Sequence, residues 1–531
     1  MTQPPLPSDA RPDPHLNRSG SDLRKNSETA EPLNELVSRD SAKPEEVDED
    51  RYQRALQFLY DRINYEKLVD GASRFPFRLK RIADLIDRLG LSHFLDPTCV
   101  TSVSGAIGSA VPVTPPGRVT ERVIDSIPLI HIAGTKGKGS TATMVSAALT
   151  AAGIRTGTYT SPHLHSLEER FRVDGKPCSA RELIELVECV REAAEQMANE
   201  SVGSPTFFEL TTAISLLHFH RSDCQVVVIE VGLGGRLDCT NVCRPTVSVI
   251  TSIGLDHQHV LGDTKEAIAA EKAGIIKDGV PVISGVTESG PAEVIERISR
   301  EHSAPLYQLG RDFAVTDERC DDWGSIVNFD GRDCFEDLNQ AQLSLEGTHQ
   351  ARNASLAIAV LQTFQRQTSI EVPQDAIRTA MMRLRCDGRL DRYRLPREVT
   401  VIVDAAHNED SVTALCQAVQ RRQYKKPIAF VFGTSVDKSA EPMLRLIGDL
   451  ANSITLTQFS GNPRFCPVES LQKRMPDGYS GELFIQPDAM QACRTALDKV
   501  PDAGTLIVCG SFFLAAEVRG YFESLQISPK R

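Results

Sequence analysis

HIAGTKGKGST, residues 131–141, reads as a phosphate-binding loop shorter than the common Walker form. Walker loops place four residues between the first glycine and the Gly-Lys pair. Here Gly134 and Gly137 are separated by two, and Gly139 falls between Lys138 and Ser140. The apolar run PLIHIAG before the loop predicts a short buried strand, and STATMVSAALTAAG after it predicts a helix stopped by Gly153. A strand that passes through glycines into a helix aims backbone N–H groups and the helix N-terminus at one anion position. Lys138 adds a point charge there, and Ser140 a hydroxyl suited to Mg²⁺. A merely structural Gly-rich turn is the competing reading. Three glycines, a lysine and Ser-Thr at the strand-to-helix joint weigh against it, so the loop is expected to hold a nucleotide phosphate.

Strand and helix patterns go on alternating outward from the loop. IRTGTYTS, CQVVVIEVG and PTVSVITSIG predict strands, and ARELIELVECVREAAEQMA and FFELTTAISLLHFH predict helices. This is α/β grammar: a P-loop domain with a mostly parallel central sheet. A second series begins near Arg397, with strands in VTVIVDAAH, PIAFVFG, SITLTQF and TLIVCGS, and predicts a smaller Rossmann-like α/β domain. EGTHQARNASLAIAVLQTF between them predicts a helix, and LRCDGRLDRYRLP a linker. The expected divisions are a tail at 1–48, an ATP-binding domain at 49–390 and a C-terminal domain at 391–531. Residues 1–48 are rich in Pro, Ser, Asp, Glu and Arg, a composition that predicts disorder. Helices are expected in YQRALQFLYDRI and in RLKRIADLIDRLG, the latter capped by Gly90. The Gly/Ser/Pro/Val-rich stretch at about 95–125 predicts an inserted surface loop.

A chain of 531 residues is long enough for two or three domains with full cores. The net charge of −12 gives no general attraction to nucleic acid or to an anionic membrane, so an anionic substrate must meet local cations at its site. The 13 cysteines are scattered, without a CxxC pair, and read as reduced thiols. No signal-like or membrane-spanning apolar run is present, which makes a cytoplasmic location the expectation.

Three more segments carry chemistry. In QVVVIEVGLGGRLDCTN a buried strand ends in Glu230, a costly place for a carboxylate unless a cation meets it. Mg²⁺ shared with the nucleotide, or a salt bridge to Arg236, would do so. TSIGLDHQHVLG sets Asp256 and His257 after another strand end. His163, His165, His218, His220 and His259 complete HxH pairs, but none joins a cluster with zinc-like spacing. In GDTKEAIAAEKAGIIKDG, Asp263 and Glu266 resemble a capping box, and at 100° per residue Ile268, Lys272, Ile275 and Ile276 share one face. Lys272 thus falls in an apolar stripe. Either its stem packs inward and its ammonium snorkels out, or it is held in the site, altered or paired.

These motifs occur together in one order. TSPHL, ERFRVDG, TFFELTTAISLLHF, EVGLGGRLDCTN, TSIGLDHQHVLG, IAAEKAGIIK, GTHQARNA, DGRLD, VDAAHN, FGTSVDK and VCGSFF follow the shortened loop, and the chain from about Tyr52 to Tyr521 resembles folylpolyglutamate synthase/dihydrofolate synthase of the Mur ligase superfamily. The resemblance implies that Gly134, Thr135, Gly137, Lys138, Gly139, Ser140 and Thr141 form the nucleotide loop. It implies that Ser140, Ser161, Glu230 and His257 serve two Mg²⁺ ions, and that Lys272 is carbamylated. It implies adenine-side contacts from Gln350 and Asn353, and nucleotide or substrate contacts from Arg389, Asp404 and His407 on domain closure. Lys138, Glu230, His257 and Lys272 are the expected catalytic set. The sequence departs from the family at Lys136, where asparagine is more usual, at CDGRLD, which lacks Trp-Pro, and at Ala405.

The implied reaction is ATP-driven amide formation. An acceptor carboxylate takes the γ-phosphoryl group, and L-glutamate then displaces phosphate from the acyl phosphate. The acceptor is dihydropteroate, a reduced folate, or both, and a bifunctional monomer is expected, with no nucleic acid and no membrane as partner. The alternatives are a Mur-type ligase of a peptidoglycan precursor and a non-catalytic nucleotide-binding homologue.

Overall fold

The computed structural model describes residues 48–63, 79–97, 127–321 and 324–525. The expected tail, up to residue 47, and the expected insertion, from residue 98, lie outside the described residues.

The first sheet has eight strands: β1 (Leu129–Ala133), β2 (Thr156–Tyr159), β3 (Phe171–Val173), β4 (Lys176–Pro177), β5 (Val226–Glu230), β6 (Val247–Ile250), β7 (Val282–Ser284) and β8 (Leu306–Gln308). Their order is β4-β3-β2-β5-β1-β6-β7-β8, parallel except for β3 and β4 at one edge. Parallel strands covered on both faces need apolar residues at every position. β5 shows why. Val226 and Val228 enter one core with Ile130 and Ile132, while Val227 and Ile229 enter the other with Leu129 and Tyr159.

The helices numbered here are α1 (Glu49–Tyr60), α2 (Leu79–Arg88), α3 (Lys138–Ala151), α4 (Ala180–Ala198), α5 (Phe207–Arg221), α6 (Lys265–Ala273), α7 (Thr348–Thr368), α8 (Gln374–Arg383), α9 (Glu409–Arg422) and α10 (Phe512–Leu525). α3 and α7 cover the first face; α1, α2, α4 and α5 cover the second. Ile132 pairs with Glu230, and Ala133 with Ile250. The C-terminal ends of β1, β5 and β6 are therefore neighbours. The phosphate loop, Glu230 and the segment leading to His257 emerge along one edge.

An antiparallel sheet of β9 (Ala314–Asp321), β10 (Gly324–Asp330) and β11 (Leu338–Leu343) adds Val327, Phe329 and Leu343 to the first core. The second lobe holds β12 (Asp391–Arg394), β13 (Thr400–Val403), β14 (Ile428–Phe432), β15 (Ser453–Gln458), β16 (Glu482–Asp488) and β17 (Thr505–Cys509), ordered β12-β13-β17-β14-β15-β16. Only β12 is antiparallel. Among the described residues no helix is long and apolar enough to cross a membrane.

The sequence expectations need four corrections. Part of the predicted linker is β12, so the second sheet starts before Arg397. β16 and the β9–β11 sheet were not foreseen. The α6 cap is Thr264, whose side chain accepts from Ala267 N, and not Asp263. Ile275 and Ile276 are buried but lie beyond the helix, which ends at Ala273.

Candidate active site

The phosphate loop is built by contacts that a larger residue would prevent. Gly134 has φ 152°, and a Cβ there would overlap Thr251 Oγ1. Gly137 has φ 85°, begins α3, and backs onto Asn353 Oδ1 so closely that a Cβ would collide with it. Asn353 in turn donates from Nδ2 to Gln350 Oε1 at 3.1 Å. Lys136 N donates to Ser252 Oγ at 2.9 Å, and Lys136 O accepts from Thr251 Oγ1 at 2.6 Å and from Ser252 Oγ at 3.0 Å. Two hydroxyls after β6 therefore strap down the loop. Gly137 offers no side-chain cap to α3, and Gly137 to Ser140 line the cleft. The helix start is left open to an anion.

That cleft has a volume of about 1450 Å³ and is walled by both lobes. From the first lobe come the loop, Ser161, Glu230, Asp256 and His257; the linker adds Arg389; the second lobe adds His407, Lys438 and Arg464. Glu230 is buried, with Lys138 Nζ 3.8 Å from Oε1 and Ser161 N donating to Oε2 at 3.3 Å. Burial pushes its carboxyl up from the usual range, and Lys138 works against that push. Arg236 pairs instead with Glu271 at 2.8 Å, which removes the salt-bridge alternative for Glu230.

Lys272 is buried on α6, as the periodicity of that segment predicts. Its ammonium donates to Gly134 O at 3.0 Å, and burial, reinforced by Lys138, pushes it down to about 7. Asp256 stands between Lys136 at 3.6 Å and Lys438 at 3.3 Å. Burial opposes its charge, yet Lys136, His257, Lys438 and His407 together hold it well below the ordinary carboxylate range. Burial pushes Lys136 down to about 8, against the pull of Asp256. His257 has φ 51°, and its N–H donates to Asp256 Oδ1 at 3.1 Å. Its side chain is 46% exposed to the cleft, but the surrounding walls still desolvate it and push it down to about 4. Asp256 resists that shift, and Lys438 adds to it.

The remaining predicted residues fall into two groups. Thr135, Gly137, Lys138, Gly139, Ser140, Ser161, Glu230, His257, Arg389 and His407 share the cleft. Gln350 and Asn353 are buried beneath the loop and do not line it. Asp404 also faces inward: its carboxylate accepts from Leu390 N and from Ala406 N, both at 2.8 Å. It staples the Arg389 linker to the turn that carries His407. Because Ala405 O can only accept, His407 Nδ1 donates to it at 2.8 Å. Nε2 is then left to accept from Lys136 Nζ at 3.4 Å. The sequence reading missed Thr251, Ser252, Lys438 and Arg464. FGTSVDK, a charged turn directly after β14, was the available signal for Lys438.

The donor set fits a metal that arrives with a nucleotide. Among the described residues no three of His, Cys, Asp and Glu gather into a ready cage. Mg²⁺ commonly takes one or two carboxylates and completes its shell with phosphate oxygens and water. Ser140, Ser161, Glu230 and His257 offer such a sparse set. Thr141 Oγ1, on the first turn of α3, is buried without a hydrogen-bond partner. His163 Nδ1 accepts from Arg170 Nε at 2.8 Å, and His220 packs 5.1 Å from His93, so these rings serve other contacts.

Known proteins resemble this chain in sequence and in fold. Residues 132–361 match the Mur ligase middle domain, and residues 388–512 match the Mur ligase glutamate ligase domain. The Bacillus subtilis dihydrofolate synthase/folylpolyglutamate synthase is 36% identical over 395 residues, 73% of this chain and 89% of that protein. The Mycobacterium tuberculosis counterpart is 35% identical over 401 residues, covering 72% and 79%. Among solved structures, the M. tuberculosis folylpolyglutamate synthase complexed with ADP superposes with TM-score 0.75 at 28% identity, covering 89% of this chain and 98% of that one. E. coli FolC in complex with DHPP and ADP gives TM-score 0.71 at 26% identity, covering 89% and 98%. The chain belongs to the folylpolyglutamate synthase/dihydrofolate synthase family of Mur ligases and is an ATP-dependent ligase.

Proposed function

We propose that the protein is a bifunctional dihydrofolate synthase/folylpolyglutamate synthase, acting as a cytoplasmic monomer. It joins L-glutamate to dihydropteroate and to the glutamate tail of reduced folates. The observation that carries this reading is Glu230: a buried carboxylate beside the uncapped start of α3, in a cleft that both lobes wall.

In the first step an acceptor carboxylate oxygen bonds to the γ-phosphorus of ATP and ADP leaves. The amine of glutamate then attacks the acyl carbon, loses a proton, and phosphate departs with the C–O bond electrons. Bringing two anions together is the main obstacle. Like charges at 4 Å repel by about 4 kcal/mol at intermediate dielectric, and each ~1.4 kcal/mol is tenfold in rate.

The loop N–H groups of α3 and Lys138 bind the triphosphate, while Thr141, expected in the nucleotide loop, is buried and does not line the cleft. Ser140, Ser161, Glu230 and His257 would hold two Mg²⁺ ions, which supply neutralisation of phosphate charge. Lys272, desolvated and close to Lys138, is suited to carbamylation, which would replace a misplaced cation with a carboxylate. Arg389 and His407 reach the nucleotide or the incoming substrate. Asp404 sets their positions. Gln350 and Asn353, expected on the adenine side, act on the nucleotide from beneath, by shaping Gly137. Closure of the second lobe excludes water from the acyl phosphate.

Purified protein with ATP, Mg²⁺ and glutamate should release ADP with dihydropteroate and also with a reduced folate, each product gaining one glutamate residue by mass. Turnover with one acceptor alone would reduce the proposal to a single activity. No turnover with either would remove it.

A further inference from the structure

Lys136 has no part in the chemistry above, yet its backbone is firmly anchored in the loop. Three hydrogen bonds with Thr251 and Ser252, one donated by Lys136 N and two accepted by Lys136 O, fix its peptide groups, so its side chain starts from a set point. Its ammonium lies 3.4 Å from His407 Nε2 of the second lobe and 3.6 Å from Asp256 Oδ2 of the first. The other oxygen of that carboxylate holds Lys438 Nζ, also of the second lobe, at 3.3 Å. Lys438 leans on Asp437 at 3.7 Å, and Asp437 on Arg464 at 2.7 Å. One loop residue is thereby tied to two separate turns of the opposite lobe.

We propose that Lys136 is a positioning residue that locks the docked second lobe onto the phosphate loop, acting through His407 and Asp256 and not as a ligand of the triphosphate. Two features favour this. The Asp256 carboxylate is shared by one lysine from each lobe, an arrangement that exists only while the lobes are together. The tautomer imposed on His407 by Ala405 O presents a lone pair to Lys136, so the contact is a directed hydrogen bond. The consequence falls on the event that needs both lobes in place, the binding of glutamate. The kinetic part of this inference rests on the proposed ligase reaction; the lobe contact itself does not.

Lys136→Met keeps the stem and removes the ammonium, and Lys136→Arg restores a donor. In the full chain without substrates, amide exchange across 254–257 and 404–408 should quicken about tenfold in Lys136→Met and return toward wild type in Lys136→Arg. The affinity for a fluorescent ATP analogue should change by no more than about threefold, while KM for glutamate rises about tenfold with kcat nearly kept. Lys438→Met should produce the same exchange pattern, and the double variant should lose less than the sum of the two. Unchanged exchange in both single variants would overturn the proposal. So would ATP affinity falling in step with the glutamate KM, which is the mark of a phosphate ligand. A wild-type protein without ligase turnover would sink the reaction instead, leaving the exchange result to judge the contact.

Discussion

Lys272 shows how burial prepares a residue. Removing an ammonium from water beside Lys138 favours its neutral form, the form that can bond to carbon dioxide. Lys272→Ala should abolish turnover, with partial recovery on adding formate or acetate; an active variant without added carboxylate would exclude a carbamate role. The same shift has a thermodynamic sign. The folded pKa is near 7 and the unfolded value 10.5, so between them the unfolded chain holds the extra proton. Stability contributed by this site therefore rises with pH across that window, by up to about 1.4 kcal/mol per unit. Urea midpoints measured from pH 7 to 9.5 in buffers purged of carbon dioxide, where Lys272 is a free amine, should climb less in Lys272→Met than in wild type. Glu230 is the opposite case. Its buried charge costs stability and serves the site, so Glu230→Gln should raise the melting temperature and lower kcat by about 10² to 10³. Lys138, Ser140 and Lys272 were legible because loop spacing and helical period are local. The partner of Lys136 was not, since His407 is 271 positions away.

At the scale of single elements, apolar central strands were readable in the sequence, while polar edge strands and helix caps were not. α5 begins with a capping box in which Glu209 accepts from Thr206 N at 2.7 Å. The same carboxylate also accepts from Arg81 Nε at 2.8 Å, and both side chains are buried. Removing one partner of such a pair strands the other charge. Glu209→Ala should therefore destabilise the first lobe by about 3–5 kcal/mol, read as a fall in its urea midpoint. The box lies within four residues of sequence, but the Arg81 contact spans 128 positions and needs the packing of α2 on α5. β12 and β16 escaped the reading for a different reason. An edge strand has one open side and tolerates charge, so DRYR and ELFIQPD lack the apolar run that marks β5 or β17. β12 is held by pairing instead, with Tyr393 buried opposite Val401.

Across the whole molecule, the two lobes also meet away from the cleft. Glu346, just before α7, is buried and pairs with Arg392 of β12 and, at 2.8 Å, with Arg422 at the end of α9. Replacing it leaves two arginines without their counter-ion at the junction. Glu346→Ala should split thermal unfolding into two transitions by calorimetry and raise KM for glutamate, with nucleotide affinity held. A single unshifted transition would deny the junction that role.

The sequence by itself determined the α/β character, the phosphate loop, the family and the inward lysine, because period, spacing and glycine placement act within a few residues of one another. Tertiary structure alone decided that the carboxylate of Glu230 meets Lys138 and not Arg236. It also decided that Asn353 supports the loop from beneath, and that Lys136 touches the opposite lobe. Those contacts join segments separated by about ninety to nearly three hundred positions, and their distances follow from strand order and lobe docking, which local pattern does not encode.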